Sequence, residues 1–437
     1  MNFNALGLRS SLLRGIDDLG YTTATPIQTQ AIPPALDGRD VLACAATGSG
    51  KTAAFLLPIL ERIAEKPRGT TRALILAPTR ELALQILADF EDLAKHTDMR
   101  GAAVYGGVGM KPQIDAFRKG ADIIVATPGR LLDHFQRGNA PLKGLEVLVL
   151  DEADRMLDMG FLPDIRRVLK HCPRPEQTLF FSATMPPEIE KLTRELLTDP
   201  VTVALQTKAA PAVGVTQTVY PVAKSDKTRL LIELLKREGI YDALVFTRTK
   251  HGANRLTKTL NKSGVTAERI HGNRSQNQRT KALAGFKRGD FQVLVATDIA
   301  SRGIDVEELG HVVNFDLPNV PEDYIHRVGR TARAGETGDA FSFVTPDCEA
   351  DLAKIERAIG ETLPRKTVEG FDVPTATPNG GGSGGGGGGG RSGGGRGRGS
   401  SQSHRKGGNG GGRPRTQHAD DGQNDRPRRR RFGKRRG

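Results

Sequence analysis

Short, continuous runs of apolar residues recur along the chain and alternate with segments that have helical periodicity. A strand that is apolar at every position is buried on both faces, as strands are in a parallel sheet covered by helices. The pattern therefore predicts an α/β fold built on a parallel sheet. In the first half of the chain the runs lie at residues 41–43, 73–76, 123–125, 147–150 and 179–181.

The pattern stops after Pro200 and begins again near residue 218. Residues 206–217 are poor in large apolar side chains and include Pro211 and Gly214, which is typical of a linker. We therefore predict two α/β domains, at 31–205 and 218–360, preceded by a leading region at 1–30 and followed by an extended connector at 361–379. The runs of the second domain lie at residues 243–246, 293–295, 312–313 and 341–343.

The last segment, residues 380–437, differs in composition from the rest of the chain. It contains fifteen Lys or Arg and three Asp, so it carries +12 of the net charge of +14. Glycine and arginine predominate, and a segment of this kind cannot bury enough apolar surface to offset chain entropy, so we predict disorder. A basic arm favours a polyanionic partner, and charge alone leaves RNA, DNA and an anionic membrane open.

Cysteine usage and hydropathy narrow the class of protein further. The three cysteines, Cys44, Cys172 and Cys348, lack metal-ligand spacing, so we expect reduced, structural thiols rather than a metal site or a disulfide. Residues 1–20 lack the apolar segment of a secretory signal, and the longest apolar run, 53–60, is too short to cross a bilayer. We therefore expect a soluble, cytoplasmic protein.

A glycine-rich segment follows the first predicted strand and precedes a helical pattern. Its small residues would let backbone N–H groups close around phosphate oxygens at a helix N-terminus, where the partial charge is positive. We expect Lys51 to reach the β- and γ-phosphates of a nucleotide and the Thr52 hydroxyl to ligate Mg²⁺. The alternative is a fortuitous glycine-rich turn, since the P-loop template has glycine at the first position. The segment reads Ala45, Ala46, Thr47, Gly48, Ser49, Gly50, Lys51 and Thr52.

Two carboxylates, Asp151 and Glu152, directly follow the apolar run 147–150. This is the Walker B pattern, in which Asp151 would hold Mg²⁺ and Glu152 would orient and polarise the attacking water. In isolation, an acidic pair after a strand is more often a helix cap. Together with the glycine-rich segment, the pair indicates a site that hydrolyses a nucleoside triphosphate.

The four residues Asp151, Glu152, Ala153 and Asp154 form the signature of DEAD-box RNA helicases, and alanine at the first P-loop position is usual in that family. The resemblance covers about residues 1–370. It implies two tandem RecA-like P-loop domains with parallel sheets, followed here by the disordered basic Gly/Arg-rich tail. It also implies an RNA-dependent ATPase that uses ATP with Mg²⁺ and unwinds RNA duplexes locally and non-processively.

The resemblance also indicates which base the nucleotide carries. Residues 20–28 resemble the family's Q motif, which implies that Gln28 reads the Hoogsteen edge of adenine and that Tyr21 stacks on the base. An amide suits this role because it can donate to N7 and accept from the N6 amine of adenine. The resemblance therefore implies ATP rather than GTP.

Hydroxyl groups after the run 179–181 resemble the motif that couples hydrolysis to unwinding. Ser182 and Thr184 can hydrogen-bond the loop that contains Asp154, although a lone Ser-Ala-Thr tripeptide carries no weight.

Two segments of the second domain resemble motifs that contact ATP. Arg330 and Arg333 match motif VI, which implies that they face the γ-phosphate across the cleft and stabilise transition-state charge. Alone, that segment reads as a solvated basic helix face. Gly303 and Asp305 match motif V, which implies contact with the ATP, Asp305 accepting from the ribose.

Further short segments match the RNA-contact motifs of the family. Helix N-termini, hydroxyls and arginines suit phosphate oxygens and read no bases, so little sequence preference is implied. Taken singly, these segments are ordinary turns and helix caps. The residues are Pro78, Thr79, Arg80, Gly106, Gly107, Thr127, Pro128, Gly129 and Arg130 in the first domain and His271, Gly272, Gln276, Arg279 and Thr297 in the second.

Residues 245–256, 270–273 and 312–333 look like the bacterial RhlE-type branch of the family, which suggests work on ribosomal RNA precursors or in RNA decay. Two rival interpretations stay open at this stage. One is a non-catalytic RNA annealing or scaffold protein, against which the complete hydrolytic set argues. The other is a DNA helicase or translocase of the same superfamily, against which Gln28 and Asp154 argue.

Overall fold

The computed structural model describes residues 1–45, 48–205, 214–298, 309–331 and 337–371. The described part of the first domain contains seven strands: β1 (Val41–Cys44), β2 (Ala73–Leu76), β3 (Gly101–Val104), β4 (Ile123–Ala126), β5 (Val147–Leu150), β6 (Gln177–Ser182) and β7 (Val201–Ala204). They form one parallel sheet, in the spatial order β3-β4-β2-β5-β6-β1-β7.

The second domain contains a parallel sheet of six strands, in the spatial order β10-β11-β9-β12-β13-β8. The two tandem α/β domains that the apolar runs predict are therefore confirmed. The strands are β8 (Val215–Pro221), β9 (Ala243–Phe246), β10 (Ala267–Ile270), β11 (Val293–Ala296), β12 (His311–Asn314) and β13 (Gly338–Val344).

Helices connect the strands in both domains. Short 3-10 helices at Phe3–Leu6 and Pro346–Cys348 complete the regular structure of the described residues. The helices of the first domain are α1 (Ser10–Asp18), α2 (Pro26–Leu36), α3 (Lys51–Ile63), α4 (Arg80–Leu93), α5 (Lys111–Arg118), α6 (Pro128–Gln136), α7 (Ala153–Asp158), α8 (Leu162–His171) and α9 (Pro187–Leu196). Those of the second are α10 (Lys227–Arg237), α11 (Lys250–Lys262), α12 (Gln276–Lys287), α13 (Pro321–Val328) and α14 (Glu349–Ile359).

The central strands of the first sheet are buried at every position because helices cover both faces. Alternate side chains of β2 enter different cores: Ile75 packs in one cluster and Leu74 in the other. On the Ile75 side, the Phe55 and Phe181 rings meet edge to face at 5.3 Å. Since a parallel sheet aligns the carboxyl ends of its strands, the loops that follow β1, β2, β4, β5 and β6 lie along one edge.

The edge strand β8 begins at Val215, inside the segment predicted as the linker. It pairs along its length with β13, and its partly exposed first residues give no continuous apolar run. Beyond α14 the chain returns to this strand: the Val219 N–H donates to the Pro364 carbonyl, and Phe371 is buried in the second-domain core. Within the described residues, none of the helices is both long and apolar enough to cross a bilayer. The tail lies outside the described residues.

Candidate nucleotide and RNA sites

The loop between β1 and α3 has the backbone geometry that phosphate binding needs. Gly48 and Gly50 have φ values of 79° and 91°, in the left-handed region that glycine adopts without steric cost. A Cβ at Gly50 would also lie 2.6 Å from the Gln28 Nε2 atom, so a larger residue would collide there. The predicted contacts of Ala46 and Thr47 lie outside the described residues.

The Lys51 side chain is buried in the first turn of α3 and folds onto this loop. Its ammonium donates to the Ala45 carbonyl oxygen at 3.0 Å. An ammonium has three donors, so further hydrogens can serve phosphate oxygens. The Ala45 N–H donates to the Ser182 carbonyl at 3.0 Å, which fixes the loop to the end of β6.

The Gln28 amide joins the start of α2 to the phosphate loop. Its Oε1 accepts from the Thr25 N–H at 2.9 Å, as in a capping box, and its Nε2 donates to the Gly50 carbonyl at 3.1 Å. Base reading, the role predicted from the sequence, would use the second N–H and the second lone pair of this amide. Tyr21 is half exposed and its ring stacks on Phe3, with centroids 6.4 Å apart.

Asp151 follows β5 and is buried. Its Oδ1 accepts from the Glu152 N–H at 2.9 Å. Burial raises the pKa of Asp151 to about 7, and this rise outweighs the opposing effect of the Lys51 ammonium. A nearby cation would stabilise the ionised form of this buried carboxyl group. The oxygens of Asp151 and of the Thr52 hydroxyl would therefore suit a Mg²⁺ ion bound with the nucleotide.

Glu152 adopts a left-handed backbone conformation, with φ 50° and ψ 51°, which costs a residue with a side chain about 1–3 kcal/mol. One Glu152 carboxylate oxygen lies 3.2 Å from the Arg155 guanidinium, and both side chains are buried. That oxygen, Oε2, accepts no hydrogen bond within the described part of the chain. Sequence reasoning missed Arg155, although its position three residues after Glu152 placed it on the same side of a short helix.

Asp154 is the centre of a compact hydrogen-bond cluster with the loop after β6. Its Oδ2 accepts from the Thr184 N–H at 2.8 Å, the Thr184 hydroxyl at 2.9 Å and the Ala183 N–H at 3.2 Å. The Asp154 N–H in turn donates to the Ser182 hydroxyl at 3.2 Å. The structure therefore brings together the three residues that were predicted to couple hydrolysis to unwinding.

One cleft collects the nucleotide-site residues from both domains. Arg330, from the turn after α13, is buried and lines the same cleft as Lys51 and Glu152. Predicted residues along this cleft are Tyr21, Gln28, Gly48, Gly50, Lys51, Thr52, Asp151, Glu152 and Arg330. Ser49 lies in the adjoining loop, and Gly303, Asp305 and Arg333 lie outside the described residues.

In the first domain, the predicted RNA residues after β2 and β3 pack against each other. Thr79 caps α4 by accepting from the Leu82 N–H at 3.2 Å, and Pro78 beside it is buried. The Arg80 guanidinium lies over Gly106 and Gly107, where a Cβ on Gly107 would come within 2.3 Å of Arg80 Nη1. Gly107 is therefore favoured by its φ of 84°, and a side chain there would displace the Arg80 guanidinium.

Arg130 lies in α6, which begins after Thr127 with Pro128 in its first turn and Gly129 exposed. Its guanidinium donates to the Val108 carbonyl at 3.1 Å and to Gln113 Oε1 at 3.3 Å. It therefore holds the Gly106–Gly107 loop from inside.

Gln113 and His134 complete this support and were not predicted. Gln113 Nε2 donates to the Tyr105 carbonyl at 3.0 Å, and the Gln113 Oε1 lies 2.9 Å from His134 Nε2. Since the amide oxygen can only accept, His134 must carry its proton on Nε2. Burial first, and Arg130 next, lower the pKa of His134. A buried polar pair on helices α5 and α6 is a weak sequence feature, because neither residue belongs to a recognisable motif.

In the second domain, two predicted RNA residues contact the first domain. Gln276 Nε2 donates to Glu81 Oε1 at 3.0 Å, and Arg279 Nη2 lies 2.9 Å from Glu81 Oε2. All three side chains are buried or nearly so, and burial lowers the pKa of Arg279 although Glu81 opposes the shift. The structure thus places Gln276 and Arg279 on a carboxylate of α4.

The remaining second-domain candidates lie at the ends of β10 and β11. His271 Nε2 lies 3.1 Å from Asn254 Oδ1, and Gly272 beside it is exposed. The Thr297 N–H donates to the Ile270 carbonyl at 3.3 Å, which keeps the two strand ends together.

Arg327 organises the second-domain side of the cleft and was not assigned a role from the sequence. It donates to both carboxylate oxygens of Asp298, at 2.6 and 2.7 Å, and to Asn314 Oδ1 at 3.0 Å. Its guanidinium also lies 4.8 Å from the centre of the Phe246 ring. This network fixes the end of α13, from which Arg330 follows.

A phosphate loop with its lysine, a Walker B carboxylate pair and an arginine from a second parallel-sheet domain line one cleft. This arrangement defines the class of P-loop nucleoside triphosphatases with two tandem domains. The profile of the DEAD/DEAH box helicases matches residues 25–192, and that of the helicase conserved C-terminal domain matches residues 226–335.

Comparisons with individual relatives indicate the same family. DEAD-box ATP-dependent RNA helicase CshA from Bacillus cereus is 43% identical over 373 residues, which cover 85% of this chain and 70% of the relative. ATP-dependent RNA helicase RhlB from Pseudomonas syringae is 42% identical over 374 residues, covering 84% and 94%. A solved structure of S. cerevisiae Dbp5 bound to RNA and ADP BeF3 matches with a TM-score of 0.76 and 32% identity, covering 84% and 95%.

The chain therefore belongs to the DEAD-box ATP-dependent RNA helicases, a family of enzymes. Membership makes ATP its nucleotide and RNA its macromolecular partner. The narrower resemblance to the RhlE-type branch stays a prediction.

Proposed function

We propose that this protein couples RNA-stimulated ATP hydrolysis to local, non-processive separation of RNA duplexes. The observation that carries the proposal is that one arrangement of the two domains supports both sites. In this arrangement Arg330 lines the same cleft as Lys51 and Glu152, and Glu81 pairs with Arg279, one of the residues predicted to contact RNA. A ligand that favours this arrangement at one site therefore favours the other ligand as well.

At the nucleotide site, we assign binding to the phosphate loop and chemistry to four side chains. Lys51 would neutralise the β- and γ-phosphates, and the Glu152 carboxylate would accept a hydrogen bond from the attacking water. Arg330 would stabilise charge on the transferred phosphoryl group, and Arg333, from the same motif, would act beside it. Mg²⁺, held by Asp151 and Thr52, would offset phosphate charge.

The Asp154 cluster supports the coupling role. Ser182 and Thr184 bind the loop that carries Asp151 and Glu152, so a shift of the loop after β6 would be felt at the catalytic carboxylates. The hydrogen bond from the Ala45 N–H to the Ser182 carbonyl would connect the phosphate loop to this cluster.

At the RNA face, we propose that the backbone of the strand is bound without base reading. The N-termini of α4 and α6 and the exposed Gly129 and Gly272 suit phosphate oxygens. Closure around one strand would favour single-stranded over duplex RNA by differential affinity. The basic tail would add salt-sensitive affinity. Ribosomal RNA precursors or RNA-decay complexes in the cytoplasm are the proposed setting.

The experiment is steady-state phosphate release from ATP with and without single-stranded RNA, for the wild type and Glu152→Gln. We expect strong RNA stimulation in the wild type and loss of turnover in the variant, with RNA binding retained. The amide keeps the shape of the side chain but removes the charge that faces Arg155, so urea unfolding of the variant is measured alongside, and a loss of turnover in the folded variant reports chemistry. Binding of RNA without any stimulation would instead support an annealing or scaffold protein.

A further inference from the structure

Helix α11 carries a line of cations on its exposed side. Arg255, Lys258 and Lys262, here called the α11 stripe, are spaced by three and four residues, so they share one face of the helix. The buried residues of α11, among them Leu256 and Leu260, occupy the opposite face. The helix contains no Asp or Glu.

The cations of the stripe have no ion-pair partner within the part of the chain that the structure describes. Some exposed arginines on other helices do have one: Arg194 lies beside Glu190, and Arg237 beside Glu233. Among the described residues, the charge of the stripe is therefore left uncompensated.

The stripe is continuous with the predicted RNA face. Asn254, in the second turn of α11, contacts His271, and Lys250 Nζ lies 3.5 Å from Asn273 Oδ1. The helix begins at Thr249, whose hydroxyl accepts from the Gly252 N–H at 3.0 Å. Its first turn thus touches the loop after β10, and the stripe continues away from that loop.

The cations at this junction outnumber the carboxylates that pair with them: Glu268 lies 3.5 Å from both Arg269 and Arg274, and Glu81 lies 2.9 Å from Arg279. The pKa of His271 is lowered by burial and then by the surrounding cations Arg269, Arg274, Lys250 and Arg279. The positive electrostatic potential that opposes protonation of His271 would also attract phosphate groups.

We propose that RNA extending from the strand-binding face over the second domain follows the α11 stripe, with its phosphates contacting Arg255, Lys258 and Lys262. The seven helical steps from Arg255 to Lys262 span about 10 Å, which accommodates about three phosphates at the roughly 3.4 Å axial spacing of a stacked strand. The proposal rests on the proposed function, because it takes RNA as the ligand of the adjoining face.

RNA fits the stripe better than the other available occupants. The tail is itself basic and would be repelled. A protein interface has an apolar or aromatic centre, and the large exposed apolar residues, such as Tyr241 and Val320, do not lie on α11. Evenly spaced cations without apolar neighbours suit a phosphate backbone.

The test compares the full chain with two triple variants. The stripe variant is Arg255→Gln, Lys258→Gln and Lys262→Gln. The matched control, Lys170→Gln, Lys191→Gln and Lys236→Gln, removes three exposed cations from three other helices. Binding of single-stranded RNAs of increasing length is measured by fluorescence anisotropy at several salt concentrations, together with RNA-stimulated ATPase activity.

We expect the shortest RNA that fully stimulates the ATPase to bind all three proteins equally. Longer RNAs should bind more tightly to the wild type and control, whereas the stripe variant should lose the part of this gain that the three cations supply; the tail, which all three proteins contain, supplies the rest. Its slope of log affinity against log salt for long RNA should fall by about 2, at roughly 0.7 per phosphate contact.

An unchanged length gain and salt slope in the stripe variant would overturn the proposal, as would an equal loss in the control. In that case the stripe would contact an acidic protein or only solvent. These outcomes are distinct from failure of the proposed function, which would be seen as absence of RNA stimulation in the wild type itself.

Discussion

The nucleotide cleft and the RNA face differ in how their predicted residues are used. In the cleft, Lys51, Glu152 and Arg330 converge on a space where a ligand can be bound. At the RNA face, Arg130 and Arg279 are occupied by protein groups, namely the Val108 carbonyl and Glu81. Lys51 and Glu152 also contact protein groups, Ala45 and Arg155, but they line a volume that a ligand can enter. Arg130 and Arg279 instead hold a loop and a carboxylate of the protein, so we expect the RNA face to depend more on the loops that these side chains shape.

The largest effect should come from breaking the buried pair that supports the cleft. Replacing Arg155 by Met leaves Glu152 as a buried carboxylate without its guanidinium, which costs about 3–5 kcal/mol of stability. We expect a lower urea midpoint, and a fall in kcat without a matching rise in the KM for ATP because Arg155 does not line the cleft. Arg155→Lys, which keeps the charge, should recover part of both. A normal kcat in the Met variant would show that Arg155 has no part in placing Glu152.

The second effect tests whether side chains at the RNA face act between domains. Glu81→Gln removes the charge that pairs with Arg279 and leaves a buried guanidinium, which costs about 2–5 kcal/mol in the closed arrangement. We expect RNA-stimulated ATP hydrolysis to need much more RNA, while ATP binding without RNA stays unchanged. Isothermal titration calorimetry measures ATP binding without RNA, and phosphate release at increasing RNA concentrations measures the RNA dependence of hydrolysis. Weaker ATP binding without RNA would contradict a role confined to closure.

These predictions also show why the sequence revealed the two regions unequally. Phosphates demand the same local residues in any P-loop, so Gly50, Lys51 and Asp151 can be identified from spacing and a preceding buried strand. The contact of Gln276 with Glu81 joins segments 195 positions apart, and no local pattern encodes such a partner. The buried strands were predictable because covered parallel strands are apolar throughout. The first three residues of β8, where this edge strand is partly exposed, were instead assigned to the linker.

A third prediction concerns the support of the Gly106–Gly107 loop. Gln113→Leu removes the acceptor of Arg130 and the donor to the Tyr105 carbonyl, so about 1–3 kcal/mol of hydrogen bonding is lost in a buried place. We expect RNA affinity to fall by roughly five- to thirtyfold, a loss of about one or two kcal/mol. The kcat at saturating RNA and the KM for ATP should stay unchanged. Ala116→Ser on the same helix is a control outside this network. A fall in kcat instead would place Gln113 in the chemical step.

The smallest effect is a pH dependence from His134. Its pKa is held below the ordinary value, so between the folded pKa and about 6.5 the unfolded chain binds more protons than the folded protein. By linkage, stability must fall as pH decreases through this window. Urea unfolding at pH 8 and below pH 6 should therefore show a loss in the wild type that is smaller in His134→Gln. Because a protonated His134 would place a second N–H at its unpartnered Nδ1, RNA affinity should weaken over the same window. If His134→Gln kept the full pH dependence of both stability and RNA affinity, the loop would be supported by Gln113 and Arg130 alone.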